Sequence, residues 1–93
     1  AQQKQWCIAK PSANAIALQS NLDFVCHKLD CRIVQPGGAC YEPNNLASHV
    51  SIAMNLYYKQ ITKNCDFIVN SITKEKTGLL VSNDPSIGNC KYV

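Results

Sequence analysis

Ninety-three residues can bury one modest core but not two, so residues 1–93 are expected to form a single domain. Nine basic and six acidic residues leave a net charge of +3, and the basic residues are scattered without a run, which argues against nucleic acid as a partner. No apolar stretch is long enough to span a bilayer, while six cysteines in so short a chain suit a disulfide framework formed in an oxidising compartment.

The cysteines Cys7, Cys26, Cys31, Cys40, Cys65 and Cys90 lack the paired short spacers of zinc ribbons and fingers, so neither a metal nor another cofactor is expected. Spacing suggests one local bridge, between Cys26 and Cys31, and leaves the other pairings open. The N-terminal Ala1-Gln2-Gln3-Lys4 has no apolar signal core, so the sequence is taken as a mature, secreted, soluble form. No Asn-x-Ser/Thr site is present, and cysteine usage alone carries the expectation of secretion.

Trp6, directly before Cys7, is expected to pack in the core beside a disulfide. Between Asn14 and Leu29 the apolar residues Leu18, Leu22, Val25, Cys26 and Leu29 recur at helical spacing, with Ser12 and Asn14 available as caps and His27 and Lys28 suited to the negative end of the helix. From Arg32 to Pro43 the chain is expected to be loop, because Gln35-Pro36-Gly37-Gly38 opposes regular structure. A second helix is expected from Asn44 or Asn45, with Leu46, Val50, Ala53, Met54, Tyr57 and Ile61 on its apolar stripe. After Cys65, Phe67-Ile68-Val69, Ser71-Ile72-Thr73 and Leu79-Leu80-Val81 suggest a small antiparallel hairpin or ribbon, and Phe67 is placed in the core. The fold class is thus a small disulfide-rich α+β domain, with two packed helices, a small antiparallel β element and three disulfides.

Catalysis has little support. The six carboxylates, Asp23, Asp30, Glu42, Asp66, Glu75 and Asp84, would have to place two across a cleft to hydrolyse a glycosidic bond, and a domain of this size has little room for one. His27 and His49 are expected at helix ends or surfaces, with no free thiol to activate. The second helix carries Ser48, Ser51, Asn55 and Tyr58 at three- and four-residue steps opposite its apolar stripe. Periodicity alone makes this row a solvated polar face with a half-buried tyrosine. It is also the kind of face that can hold a sugar, with hydroxyl partners beside an aromatic platform. Gln35, Tyr41, Glu42 and Asn45 form a second polar set around the glycine loop.

Trp6-Cys7-Ile8-Ala9-Lys10-Pro11, Leu22-Asp23-Phe24-Val25-Cys26, Ile33-Val34-Gln35-Pro36-Gly37-Gly38-Ala39-Cys40-Tyr41-Glu42-Pro43-Asn44, His49-Val50-Ser51, Met54-Asn55-Leu56-Tyr57-Tyr58 and Asn83-Asp84-Pro85-Ser86 resemble the plant carbohydrate-binding module family 43. The resemblance covers nearly the whole chain and includes all six cysteines. It implies non-catalytic binding of β-1,3-glucan of the callose or laminarin type, for which Gln35, Tyr41, Glu42, Asn45, Ser51, Asn55 and Tyr58 from the two polar sets above are the expected contacts. It also implies the pairings Cys7–Cys65, Cys26–Cys31 and Cys40–Cys90. Members occur at the C-terminus of β-1,3-glucanases, in callose-binding proteins of plasmodesmata and as small pollen-allergen-like proteins. A monomer in the cell wall or at the cell surface is expected, and a lipid anchor on a precursor is compatible with that. Two departures stand out: Ile68 to Val81 is richer in lysine than the family pattern, and Ile87 occupies the place of an aromatic before the last glycine. The alternative to glucan binding is a wall protein whose positive charge docks acidic pectin or a protein partner.

Overall fold

The computed structural model describes residues 4–42, 44–65, 67–70 and 75–92, with the backbone alone described at 68–70 and 75. The chain begins with strand β1 (Trp6–Ala9), turns at Pro11 and enters helix α1 (Ala15–Lys28). Asn14 caps α1 by accepting the Ala17 N–H at 2.8 Å, as its position before the apolar repeat predicts. A single 3-10 turn (Arg32–Val34) interrupts the expected loop and leads through the glycines to helix α2 (Leu46–Tyr57). Asn45 caps α2 through the Ser48 N–H at 2.8 Å. Strands β2 (Ile68–Asn70), β3 (Glu75–Lys76) and β4 (Gly78–Val81) follow.

The β element has two parts. β2 and β3 pair antiparallel, as expected of a local ribbon, with Glu75 and Lys76 as its second strand. Ser71-Ile72-Thr73 lies outside the described residues. Leu79-Leu80-Val81 does not join that ribbon. β4 pairs antiparallel with β1, in the register Trp6 to Val81 through Ala9 to Gly78. The strand at Trp6–Ala9 was not expected: four residues without alternation carry little period-two signal, and the partner lies far along the chain.

Helix α2 is the axis of the molecule, and it is buried on nearly every side. Val50, Ala53 and Met54 pack with Leu18 and Val25 of α1, with Ala9 of β1, with Phe67 and with the Cys7–Cys65 disulfide. Ile52, on another face, packs with Val34 and with Cys31, Cys40 and Cys90. Ile52 is completely buried and stabilises the fold by about 1.5–3 kcal/mol. The bridges are Cys7–Cys65, Cys26–Cys31 and Cys40–Cys90, the set that the family resemblance implied. Trp6 and Phe67 are in the core as expected, whereas Ile61 projects from the expected apolar stripe and is half exposed. Among the described residues no helix is long and apolar enough to cross a membrane, and no cluster of metal-binding side chains is found.

Candidate functional site

The polar row on α2 divides. Asn55 is fully buried, and its Oδ1 accepts the Cys7 N–H at 3.1 Å; four residues earlier, Ser51 Oγ accepts the Ala9 N–H at 2.9 Å. These two N–H groups of β1 point toward α2, where an apolar residue would leave them unsatisfied. The spacing of four that suggested a sugar-binding face instead matches the two-residue repeat of a strand lying on the helix. Ser51 and Asn55 are therefore corrected from sugar contacts to internal struts. Tyr92 is more than half buried, and burial raises its phenol above the ordinary tyrosine value while the neighbouring Ser51 hydroxyl opposes that shift.

Tyr41 and Glu42 do meet in a cleft. They face Ile87 and Asn89 across a shallow depression of about 750 Å³ whose floor is formed by Gly37 and Gly38. The Cys40–Cys90 bridge joins the two walls. Gly37 has φ of 92°, and a Cβ on Gly38 would collide with the backbone carbonyls of Arg32 and Ile33. Both glycines are thus required by the path of the chain. Gln35 lies beside this cleft, in an adjoining depression that shares the same two glycines.

Neighbouring side chains hold Tyr41. Its ring stacks on His49 with centroids 5.7 Å apart, the His49 Nε2–H donates to the Tyr41 carbonyl at 2.8 Å, and Asn44 Nδ2 donates to the Tyr41 hydroxyl at 3.1 Å. His49 is accordingly partly buried and structural, rather than the surface histidine that helix position suggested. Asn45 stands nearby, but its side-chain oxygen is engaged at the start of α2. The opposite wall is fixed by Asp84, which accepts from the Ser86 N–H at 2.9 Å and the Ser86 hydroxyl at 2.6 Å; Ser86 Oγ in turn accepts the Tyr92 N–H at 2.9 Å. The Ser86 hydroxyl and N–H, with smaller help from Lys4 and Lys91, hold the Asp84 carboxyl below its usual range.

Tyr58 lies elsewhere. It follows α2 directly, nine residues beyond His49 and so roughly 13 Å further along the axis. There the helix widens into a π segment (Tyr58–Thr62), and Tyr58 borders a second depression with Lys10, Lys63 and Leu80. The expected single site is therefore two separate surfaces and a buried pair. Missed by sequence reasoning were Asn44, His49 and Asn89 at the cleft, and Lys10 and Lys63 beside Tyr58. Only Ile87 was signalled in advance, as a departure from the family pattern.

A small disulfide-stapled α+β domain with shallow open depressions is the class of protein this arrangement defines. Residues 5–72 match the X8 domain model, and the chain belongs to that family, the carbohydrate-binding module 43 type which its motifs resemble. It is 44% identical over 92 residues to a glucan endo-1,3-beta-glucosidase of Triticum aestivum, covering 96% of this chain and 18% of that protein. Glucan endo-1,3-beta-glucosidase 7 of Arabidopsis thaliana is 44% identical over 91 residues, covering 94% of this chain and 17% of its own. Major pollen allergen Ole e 10 of Olea europaea is 40% identical over 95 residues, covering 97% of this chain and 72% of the allergen. The chain therefore spans under a fifth of the length of the two glucosidases.

Proposed function

We propose that the protein binds β-1,3-glucan without cleaving it, in the cleft between Tyr41 and Ile87, and that it does so outside the cell in the wall. The observation that carries this reading is the held tyrosine: an aromatic ring set at the edge of an open cleft by His49 and Asn44, with Glu42 and Asn89 alongside to meet sugar hydroxyls. A glucose ring presents C–H bonds to an aromatic face and hydroxyls at its rim, and this arrangement supplies a partner for each. Family membership and the substrate named in the glucosidases point to the same polymer. Binding without hydrolysis is supported by the cleft's chemistry. Glu42 is its one carboxylate among the described lining residues, whereas glycoside hydrolysis ordinarily needs two facing each other.

An open cleft binds weakly per sugar, so affinity should rise from laminaribiose to laminarihexaose. Tyr41→Ala should weaken laminarihexaose binding by about tenfold in calorimetry, the worth of a stacking contact and its hydroxyl, with the unfolding midpoint nearly unchanged. Equal binding by the folded variant would remove the cleft from the reading, and failure of the parent protein to bind any β-1,3-glucan would remove the function. The Cys40–Cys90 staple should also make binding sensitive to reduction.

A further inference from the structure

At the far end of α2 lies a surface of opposite chemistry. The depression beside Tyr58 encloses about 500 Å³ and gathers Lys10 from the end of β1 and Lys63 from the end of the π segment, with Lys76 of β3, already engaged in an interaction of its own, at its wall. None of the described residues that line it is acidic. Lys59 adds a fourth charge, its Nζ standing 5.5 Å from the centroid of the Tyr58 ring. Bringing like charges together around a concave surface costs repulsion and creates a focused positive potential, which an anionic ligand relieves.

The backbone here is also unusual. The helix changes to π hydrogen bonding from Tyr58 onward, shown by Lys63 N–H donating to the Tyr58 carbonyl at 3.0 Å, and Lys63 itself has φ of 61°. Among the described residues it is the one non-glycine with positive φ. π segments and left-handed residues are both enriched at functional sites. Together they turn Tyr58 and Lys63 into the same depression. Lys63 Nζ donates one hydrogen bond to the Lys59 carbonyl at 2.8 Å, which orients the ammonium and leaves two more protons to donate. Opposite, Leu79 and Leu80 of β4 are 37% and 44% exposed, so the surface offers apolar contact as well as charge.

We propose that this groove binds a carboxylated sugar chain, a polyuronate, independently of the cleft at the other end of α2. Lys10 and Lys63 take the carboxylates, Tyr58 and the leucines take the C–H faces of the rings, and Gln5 at the margin takes hydroxyls. A compact inorganic anion would need the charges alone. An acidic peptide would have no use for the sequence of ring and amide.

The test is a heteronuclear NMR titration of the whole chain with hexagalacturonate at low ionic strength, alongside laminarihexaose and hexaglutamate. Salt-sensitive shifts at Lys10, Tyr58, Lys63 and Leu80 with hexagalacturonate are expected. Lys10→Gln combined with Lys63→Asn, asparagine being at ease with the left-handed backbone, should weaken that binding by about tenfold. Leu80→Glu, at an exposed position that endangers no packing, should weaken it severalfold by placing a negative charge in the groove. Tyr41→Ala should leave it unchanged, which separates this site from the glucan cleft. The proposal is overturned by an absence of shifts, by shifts confined to other faces, or by affinity that survives both groove variants. Equal binding of hexaglutamate overturns the assignment to sugar.

Discussion

The two ends of helix α2 show how differently one small chain can build a surface. At the N-terminal end the cleft walls are loops, and the Cys40–Cys90 bridge, packed against Ile52, joins them covalently beside a 3-10 turn. At the C-terminal end the walls are strands and helix, fixed by the β1–β4 ladder and by the larger cluster around Met54. The chemistry differs accordingly. The loop end presents a tyrosine and one carboxylate, while the strand end presents a tyrosine ringed by lysines. The lesson is that loops unable to pair their backbone in a ladder can still form a rigid wall where a cross-link shares the work of ordering them.

Removing the cross-link is the strongest way to break this comparison. The Cys40–Cys90 bridge has a sequence separation of 50, and in the chain-entropy picture it contributes about 4 kcal/mol, against about 2 kcal/mol for the local Cys26–Cys31 bridge with a separation of 5. Denaturant unfolding of the paired serine variants should give losses in that order. The Cys40→Ser, Cys90→Ser protein should also lose laminarihexaose binding before it loses the β1–β4 amide protection. At the strand end, Asn55→Ala should cost roughly 2–3 kcal/mol, since it strands the buried Cys7 N–H and opens a void. Hydrogen exchange should then rise at Cys7 specifically; unchanged protection there would mean that Asn55 does not hold β1.

Smaller changes sharpen the contrast. Ile87→Tyr restores an aromatic to the cleft wall at a position already 59% exposed, and should improve laminarihexaose affinity two- to tenfold, in the range of about 0.5–1.5 kcal/mol for an added aromatic contact. The smallest expected effect is electrostatic. Asp84 has an unfolded value near 3.8 and a lower one when folded, so its carboxylate stabilises the fold above that pH, and the contribution is lost as pH falls through the folded value. Asp84→Asn should therefore lower the melting temperature slightly in the neutral range, leave it nearly unchanged in acid, and so flatten this acid limb in a series of thermal melts below pH 5.

Much of this was legible in the chain. The α1 stripe and the Asn14 and Asn45 caps are local signals, and the structure carries both helices where they point. That Tyr41 and Glu42 sit together at the glycine loop was legible because they follow a glycine turn that ends in a cysteine. Ser51 and Asn55 misled for a definite reason: a strand laid along a helix asks for polar groups every four residues, the same repeat that marks a solvated face. Only the placement of β1, a long-range fact, tells the two apart. The lysine groove was invisible for a related reason, because Lys10, Lys63 and Lys76 come together only through the fold.

The order of the disulfides along the chain governs how the molecule survives proteolysis. Cys40 lies inside the span closed by Cys7 and Cys65, while its partner Cys90 lies beyond it, so the two large rings interlock in sequence. A protease that severs one peptide bond anywhere between Cys7 and Cys90 therefore leaves two fragments still joined by at least one bridge. The two pieces stay together until a reductant is added, with the clusters around α2 still tied by the remaining bridges. Damage that would halve an unbridged domain is here reduced to a scar.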